Sequence, residues 1–109
     1  MGWIAILAAL SGAVAVAAGA FGAHGAEGKA VEWLKTGSHY QLVHAVAALI
    51  ALRLDARGPA VTFVVGGAIF AGTLYLMAIG GTRWLGAVTP IGGAALIVGW
   101  LWLAWSVRG

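Results

Sequence analysis

The sequence predicts an all-α integral membrane protein: four transmembrane helices in one bundle, a short interfacial helix in the first loop, and a proline-broken start to the fourth span. Three observations carry this. Of 109 residues, 62% are hydrophobic and 8% are charged, and so few charges do not cover the surface of a soluble domain this small. The charges also divide the chain into four uncharged runs, each long enough, or nearly so, to cross a hydrocarbon core of ~30 Å at ~1.5 Å per residue. Finally, there are no ~10-residue segments of alternating hydrophobicity, so backbone satisfaction in lipid falls to helices and not to a barrel. The chain reads as a single transmembrane domain over residues 1–109.

The first run, Trp3 to Gly22, gives a helix over about residues 3–23. No Lys or Arg precedes it and it exceeds the length of a signal-peptide core, so it reads as a retained span. His24-Gly25 closes it, with His favourable at the negative helix end and Gly suited to a left-handed position. The first loop, about residues 26–35, places Ala30, Trp33, Leu34 and Gly37 on one helical face and Glu27, Lys29, Glu32 and Lys35 elsewhere. That is the pattern of an amphipathic helix lying in the interface.

The second run, Gly37 to Leu52, gives a helix over about 37–54. Arg53 to Gly58 form the next loop, and Pro59 suits the first turn of a third helix over about 59–81. The fourth helix covers about 84–107. Within it Pro90 removes a hydrogen bond and crowds the carbonyl of Gly86. Thr89 as N-cap and Pro90 as first helical residue offer an alternative start there. The glycines of Ile91-Gly92-Gly93 would then leave amides open to an anion or carbonyl group.

Four spans put both termini and the second loop on one side. Lys and Arg divide three against three between the sides, and the α-amino group tips the choice to cytoplasmic termini. Trp3, Trp102 and Trp105 fall at one interface and Trp33 and Trp84 at the other. The net charge of +3 rests on scattered Lys and Arg, which reads as membrane-flank charge and excludes a nucleic-acid footprint. Without cysteine there is no disulfide, thiolate nucleophile or Cys-bound metal.

Ala and Gly together supply 42 of the 109 residues, and their spacing fits helix contact, since lipid gives no hydrophobic drive between helices. Gly12, Ala15 and Gly19 form a stripe on the first helix, Gly72 pairs with Ala68 on the third, and Gly92, Gly93 and Gly99 mark the fourth. These faces suit packing within the bundle or against a second copy of the chain.

The scarce polar groups converge toward the side of the first and third loops: His24, Thr36, His39, Tyr40, His44, Thr73, Tyr75, Arg83 and Thr89. The opposite half is apolar apart from Ser11, Thr62 and flank charges. The polar layer is expected ~10 Å below that surface, counting from Gly37 to His44. Tyr40 and His44 share a helix face. Burial favours a neutral His44 ring, able to donate one hydrogen bond and accept another. Its candidate roles are a hydrogen bond between helices, a ligand or proton site, and metal or haem ligation. His39 and His44 are five apart and do not form a metal pair, and no metal, cofactor or catalytic set is assigned. The ligand or polar-site candidates are His24, Tyr40, His44, Thr73, Tyr75, Arg83 and Thr89.

Several stretches together resemble a known family. Gly19-Ala-Phe-Gly-Ala-His-Gly25, Thr36-Gly-Ser-His-Tyr40 with His44-Ala45, Phe70-Ala-Gly-Thr-Leu-Tyr75, and Thr89-Pro-Ile-Gly-Gly93 with Gly99-Trp100 resemble the signatures of the small membrane proteins grouped as domain of unknown function 423. The eukaryotic transmembrane protein 256 group is similar. The resemblance implies a four-helix bacterial inner-membrane protein and no particular activity. It places His24, Thr36, Gly37, Tyr40, His44, Gly72, Tyr75, Thr89, Pro90, Gly92 and Gly93 on family motif positions. This chain departs in carrying His39 and Gln41 around Tyr40, where the family often has Gln then His.

Three functions compete. The first is a structural or interaction bundle that binds lipid or a partner through its polar layer. The second is a channel or carrier subunit for a small solute or proton with His44 in the pathway. The third is a cofactor-binding membrane protein. The first is favoured, because no Asp or Glu lies within the spans to serve an ion path, and no nucleophile–base set lies there for chemistry.

Overall fold

Uncharged, Ala- and Leu-rich runs satisfy their own backbone as helices, and the polar breaks between them set where each ends. A computed structural model describes residues 2–109. It contains four α-helices: α1 (Gly2–His24), α2 (Lys29–Arg53), α3 (Arg57–Ala78) and α4 (Thr89–Ser106), with a short 3-10 helix at Arg83–Ala87 before α4. The molecule measures 47 × 25 × 18 Å. Each helix packs mainly on its neighbour in sequence, and α1 also touches α3. The helices therefore form a serpentine row with α2 and α3 inside and α1 and α4 outside.

Three helical stretches are long and apolar enough to cross a membrane: Gly2–His24, Arg57–Ala78 and Arg83–Ser106. α2 is not among them, although at 25 residues it is the longest helix. Its first sixteen residues carry Lys29, Glu32, Lys35, His39, Gln41 and His44, which lower its hydropathy.

The first loop departs from expectation. No separate interfacial helix forms over 26–35, because Lys29 to Lys35 are the first two turns of α2. Nothing between Glu32 and His39 breaks a helix except Gly37, and Gly37 stays helical because its missing Cβ admits the ring of Tyr75, whose Cε1 would lie 2.7 Å from a Cβ there. Gly25 is not left-handed either. The positive-φ glycine of this loop is Gly28, at φ 63°. Gly25 is instead suited by space, since a Cβ there would sit 2.7 Å from the Phe21 ring.

The other turns follow local chemistry. Asp55 takes φ 60° between α2 and α3, a conformation that Asp tolerates better than most residues. After α3, Gly80 at φ 102° donates its N–H to the Met77 carbonyl, and Gly81 donates to the Leu76 carbonyl. Those two bonds make a Schellman close.

α4 begins at Thr89, and Pro90 sits in its first turn. The carbonyl four residues before Pro90 belongs to Gly86, inside the 3-10 segment, so the ring escapes the clash an α-helix would impose there. Thr89 does not serve as a side-chain cap. Its hydroxyl points across to α3 instead.

Packing at the end away from the first and third loops is apolar. Ile4, Ala8, Ala47, Ala48, Ala51, Ala60, Phe63, Leu96 and Leu103 form one buried cluster. Alanines on α2 allow α1 and α3 to close on either side of it. On α1, a Cβ added at Gly12 would lie 3.8 Å from Ala45 Cβ, and one at Gly19 would lie 3.3 Å from Ser38 Oγ, while Ala15 is buried. On α4, a Cβ at Gly92 would lie 2.8 Å from Phe70 Cα, and one at Gly99 would lie 2.8 Å from the Phe63 ring. Gly93 faces the Phe70 ring at an ordinary 3.6 Å. Gly72 is different: a Cβ there meets nothing within 4 Å, so it takes no part in packing within the chain.

Candidate functional site

Of the buried polar side chains, Gln41 and His44 lie near the middle of α2, whereas Thr73 and Thr89 lie toward the third-loop end, five residues before the end of α3 and at the first residue of α4. His44 is fifteen residues into a helix that starts at Lys29, or about 22 Å from its beginning and about 14 Å from its end. The expected shallow layer assumed a helix beginning near Gly37.

Two hydrogen-bonded assemblies tie the helices together. In the first, Tyr75 on α3 donates its hydroxyl to Gln41 Oε1 on α2 at 2.6 Å. Gln41 Nε2 donates onward to Ser11 Oγ on α1 at 3.0 Å. Gln41 is 6% exposed, and the carboxamide alone can accept from one neighbour and donate to the other. Ser11 therefore belongs to the polar layer and not to the apolar half.

The second assembly centres on His44, 5% exposed. Its Nδ1 lies 2.7 Å from the Tyr40 carbonyl, and its Nε2 receives the Trp100 indole N–H from α4 at 2.9 Å. An indole N–H can only donate. Nε2 must therefore carry the lone pair and Nδ1 the proton, which it gives to the Tyr40 carbonyl. Both nitrogens of the neutral ring are thus engaged. Phe63, Tyr40 and Trp100 enclose it at centroid distances of 5.5, 6.3 and 5.8 Å.

A third contact joins α3 to the start of α4. Thr73 Oγ1 and Thr89 Oγ1 are 2.6 Å apart and buried. Thr73 also reaches the Ile69 carbonyl at 2.9 Å, so in one consistent arrangement Thr89 donates to Thr73 and Thr73 to Ile69. The neighbouring Gly92 packs against the backbone of Phe70, so its missing Cβ serves the crossing of α3 and α4.

The structure engages Tyr40, His44, Thr73, Tyr75 and Thr89 in three separate contacts: His44 with Tyr40 and Trp100, Tyr75 with Gln41 and Ser11, and Thr73 with Thr89. It does not bring in His24, which is exposed at the end of α1. Arg83 is exposed as well, and its guanidinium carbon lies 6.0 Å from the centroid of the Trp33 ring. Gln41 and Trp100 were missing from the sequence candidates. Trp100 offered a signal, because it lies well inside α4, away from the interfacial positions where Trp is expected, and a Trp there must find a partner for its N–H.

Between α2 and α4, over α3, lies a lateral groove of about 520 Å³, lined by Tyr40, His44, Phe70, Pro90, Gly93, Ala94, Leu96, Ile97 and Trp100. Its wall is almost wholly apolar and aromatic. Tyr40 is 44% exposed here, its ring 4.9 Å from that of Phe70. Among the described residues its hydroxyl has no hydrogen-bond partner. A smaller hollow of about 310 Å³ lies between α1 and α2, lined by Gly19, Gly22, Ala23, Val31, Lys35 and Ser38.

The family described as "Protein of unknown function (DUF423)" matches residues 18–93, a stretch that holds Gln41, His44, Thr73, Tyr75 and Thr89. A "UPF0382 membrane protein" of Haemophilus influenzae is 41% identical, the match covering 92% of this chain and 89% of that protein. "UPF0382 membrane protein YwdK" of Bacillus subtilis is 38% identical over 88% of each chain. "UPF0382 inner membrane protein YgdD" of Escherichia coli is 38% identical over 94% of this chain and 88% of its own. No solved structure matches the chain. With the match running through the helices and the polar residues between them, this helical membrane protein belongs to the DUF423 family.

Proposed function

We propose that the protein is a multi-pass inner-membrane bundle that serves as a binding scaffold for a membrane lipid, and that it carries out no reaction of its own. One observation carries this reading: among the described residues every buried side-chain N or O has a hydrogen-bond partner within the chain. A polar layer built for transport or catalysis keeps groups free for substrate, whereas this one, the half-exposed Tyr40 hydroxyl aside, spends them on holding helices together. His44 in particular has no free nitrogen to pass a proton, which speaks against a carrier pathway through it.

In this reading α2 is the fourth span. It packs along both α1 and α3, and its buried Gln41 and His44 are satisfied by neighbours, so lipid never meets them bare. Four crossings would put both termini and the α2–α3 turn on one side, which this reading takes as the cytoplasmic one, and the name of the Escherichia coli relative supports the inner membrane. The outer face of α1, with Leu7, Leu10, Val14 and Phe21 exposed, is open to lipid or to a second copy of the chain. What the chain offers a ligand is the groove between α2 and α4.

The test is native mass spectrometry of the protein extracted in a mild maltoside detergent, paired with flux assays in proteoliposomes. Retention of about one lipid per chain, with proton and solute leak equal to empty liposomes, is the expected result. A saturable flux lost in a folded His44→Gln variant would overturn it in favour of a carrier.

A further inference from the structure

Trp33, Gly37, Tyr40 and His44 fall at i, i+4, i+7 and i+11 of α2, so they share one helix face. The groove is built on that face at Tyr40 and His44, and Trp33 lies about 10 Å further toward the α2 N-terminus. There the Arg83 guanidinium lies 6.0 Å from the Trp33 ring. Arg83 leads through the 3-10 helix to Pro90, which lines the same groove. Among the described residues no carboxylate pairs with Arg83; the acidic residues are Glu27, Glu32 and Asp55, all in loops or in the first turn of α2. Along one line, then, stand an unpaired cation at the membrane surface, a phenol without a hydrogen-bond partner, and an aromatic-walled apolar trough.

We propose that this line is the seat of one phospholipid of the adjacent leaflet, with its phosphate on Arg83 and one acyl chain lying along Tyr40, Phe70, Gly93 and Trp100. This rests on the lipid-scaffold reading and adds the class of lipid and the residues that select it. The charge order decides the occupant. A guanidinium is a fork of donors suited to phosphate oxygens. The ester carbonyl of a glycerolipid, just below its phosphate, is an acceptor of the kind the Tyr40 hydroxyl lacks. A second protein helix would fill the trough but would leave Arg83 and Tyr40 unanswered unless it brought an acid and an acceptor at the same spacing.

The experiment titrates delipidated full-length protein in maltoside detergent with phosphatidylglycerol or with diacylglycerol of the same chains, read by native mass spectrometry. One phosphatidylglycerol is expected to bind per chain. Arg83→Gln, at an exposed position, should weaken it by about tenfold and leave diacylglycerol binding unchanged. Gly93→Leu, whose side chain enters the trough, should abolish both, and Ala94→Phe checks the same trough if Gly93→Leu does not fold. Equal binding of phosphatidylglycerol to the wild type and Arg83→Gln overturns the phosphate assignment while leaving a lipid groove standing. Undiminished binding of both lipids to folded trough variants removes the groove as the site, and failure of both lipids to bind the wild type removes the scaffold reading itself.

Discussion

Trp100 and His44, 56 residues apart, are joined by a 2.9 Å hydrogen bond from the indole N–H to Nε2. It is the polar link between α2 and α4, which otherwise meet chiefly through α3. Trp100→Phe keeps most of the ring area and leaves Nε2 without a donor. A loss of about 1–2 kcal/mol is expected. In a double-mutant cycle with His44→Ala, unfolding in detergent should show coupling of about 0.6–2 kcal/mol. Strictly additive losses would mean that the two side chains do not act on each other.

Two glycines separate contact from coincidence. A Cβ at Gly92 would run into the backbone of Phe70, which cannot yield as a side-chain tip can, whereas Gly72 has open space around it. Gly92→Ala should therefore destabilise the bundle by about 1–3 kcal/mol. Gly72→Ala should be neutral, or stabilise by up to about 1 kcal/mol through helix propensity. Thermal unfolding of the two variants in one detergent checks the contrast, and equal effects would contradict the α3–α4 crossing at Gly92.

How much was legible in the sequence can be judged from these same residues. The helices followed from charge spacing and backbone satisfaction, which are local. The fate of the first loop was less so: Lys29 to Lys35 read as amphipathic, and only the fit of Tyr75 over Gly37 shows why the helix runs straight through. Tyr40, His44, Thr73, Tyr75 and Thr89 stood out because polar groups are costly in lipid. Their partners did not. That Gln41 bridges Tyr75 to Ser11, or that His44 meets Trp100, depends on helix rotation and crossing, which periodicity alone leaves open. Gly72 shows the converse error, since a small residue at the right spacing can face outward.

The Ser11–Gln41–Tyr75 chain gives an ordered set of losses. Gln41→Leu removes both bonds and strands the Tyr75 hydroxyl, Tyr75→Phe removes one bond, and Ser11→Ala removes the weaker 3.0 Å link at the edge. Stability should fall most for Gln41→Leu, by about 1–3 kcal/mol, less for Tyr75→Phe and least for Ser11→Ala. If Gln41→Leu were instead stabilising, the carboxamide would have a role outside helix docking, because an apolar replacement would then satisfy the fold better than the native residue does.

Whether α2 crosses the bilayer is decided by which side its two ends face. The sequence has no cysteine, so single introduced cysteines report cleanly with a membrane-impermeant maleimide. Gly28 precedes α2 and Asp55 follows it. Both are exposed turn residues with positive φ, so replacing them strains only local turns. If α2 crosses, Gly28→Cys and Thr82→Cys label from one side, while Asp55→Cys and Gly109→Cys label from the other. With three Lys or Arg flanking each side, the positive-inside bias is weak and rests on the N-terminal amine. Cytoplasmic labelling of Asp55→Cys and Gly109→Cys is expected, and adding Lys residues to the Gly25–Gly28 turn should shift part of the population to the inverted orientation. Labelling of Gly28→Cys and Asp55→Cys from the same side would mean that α2 does not span the membrane. The Ser11–Gln41–Tyr75 chain would then have to form outside the hydrocarbon, although it ties α2 to two helices apolar enough to lie within it.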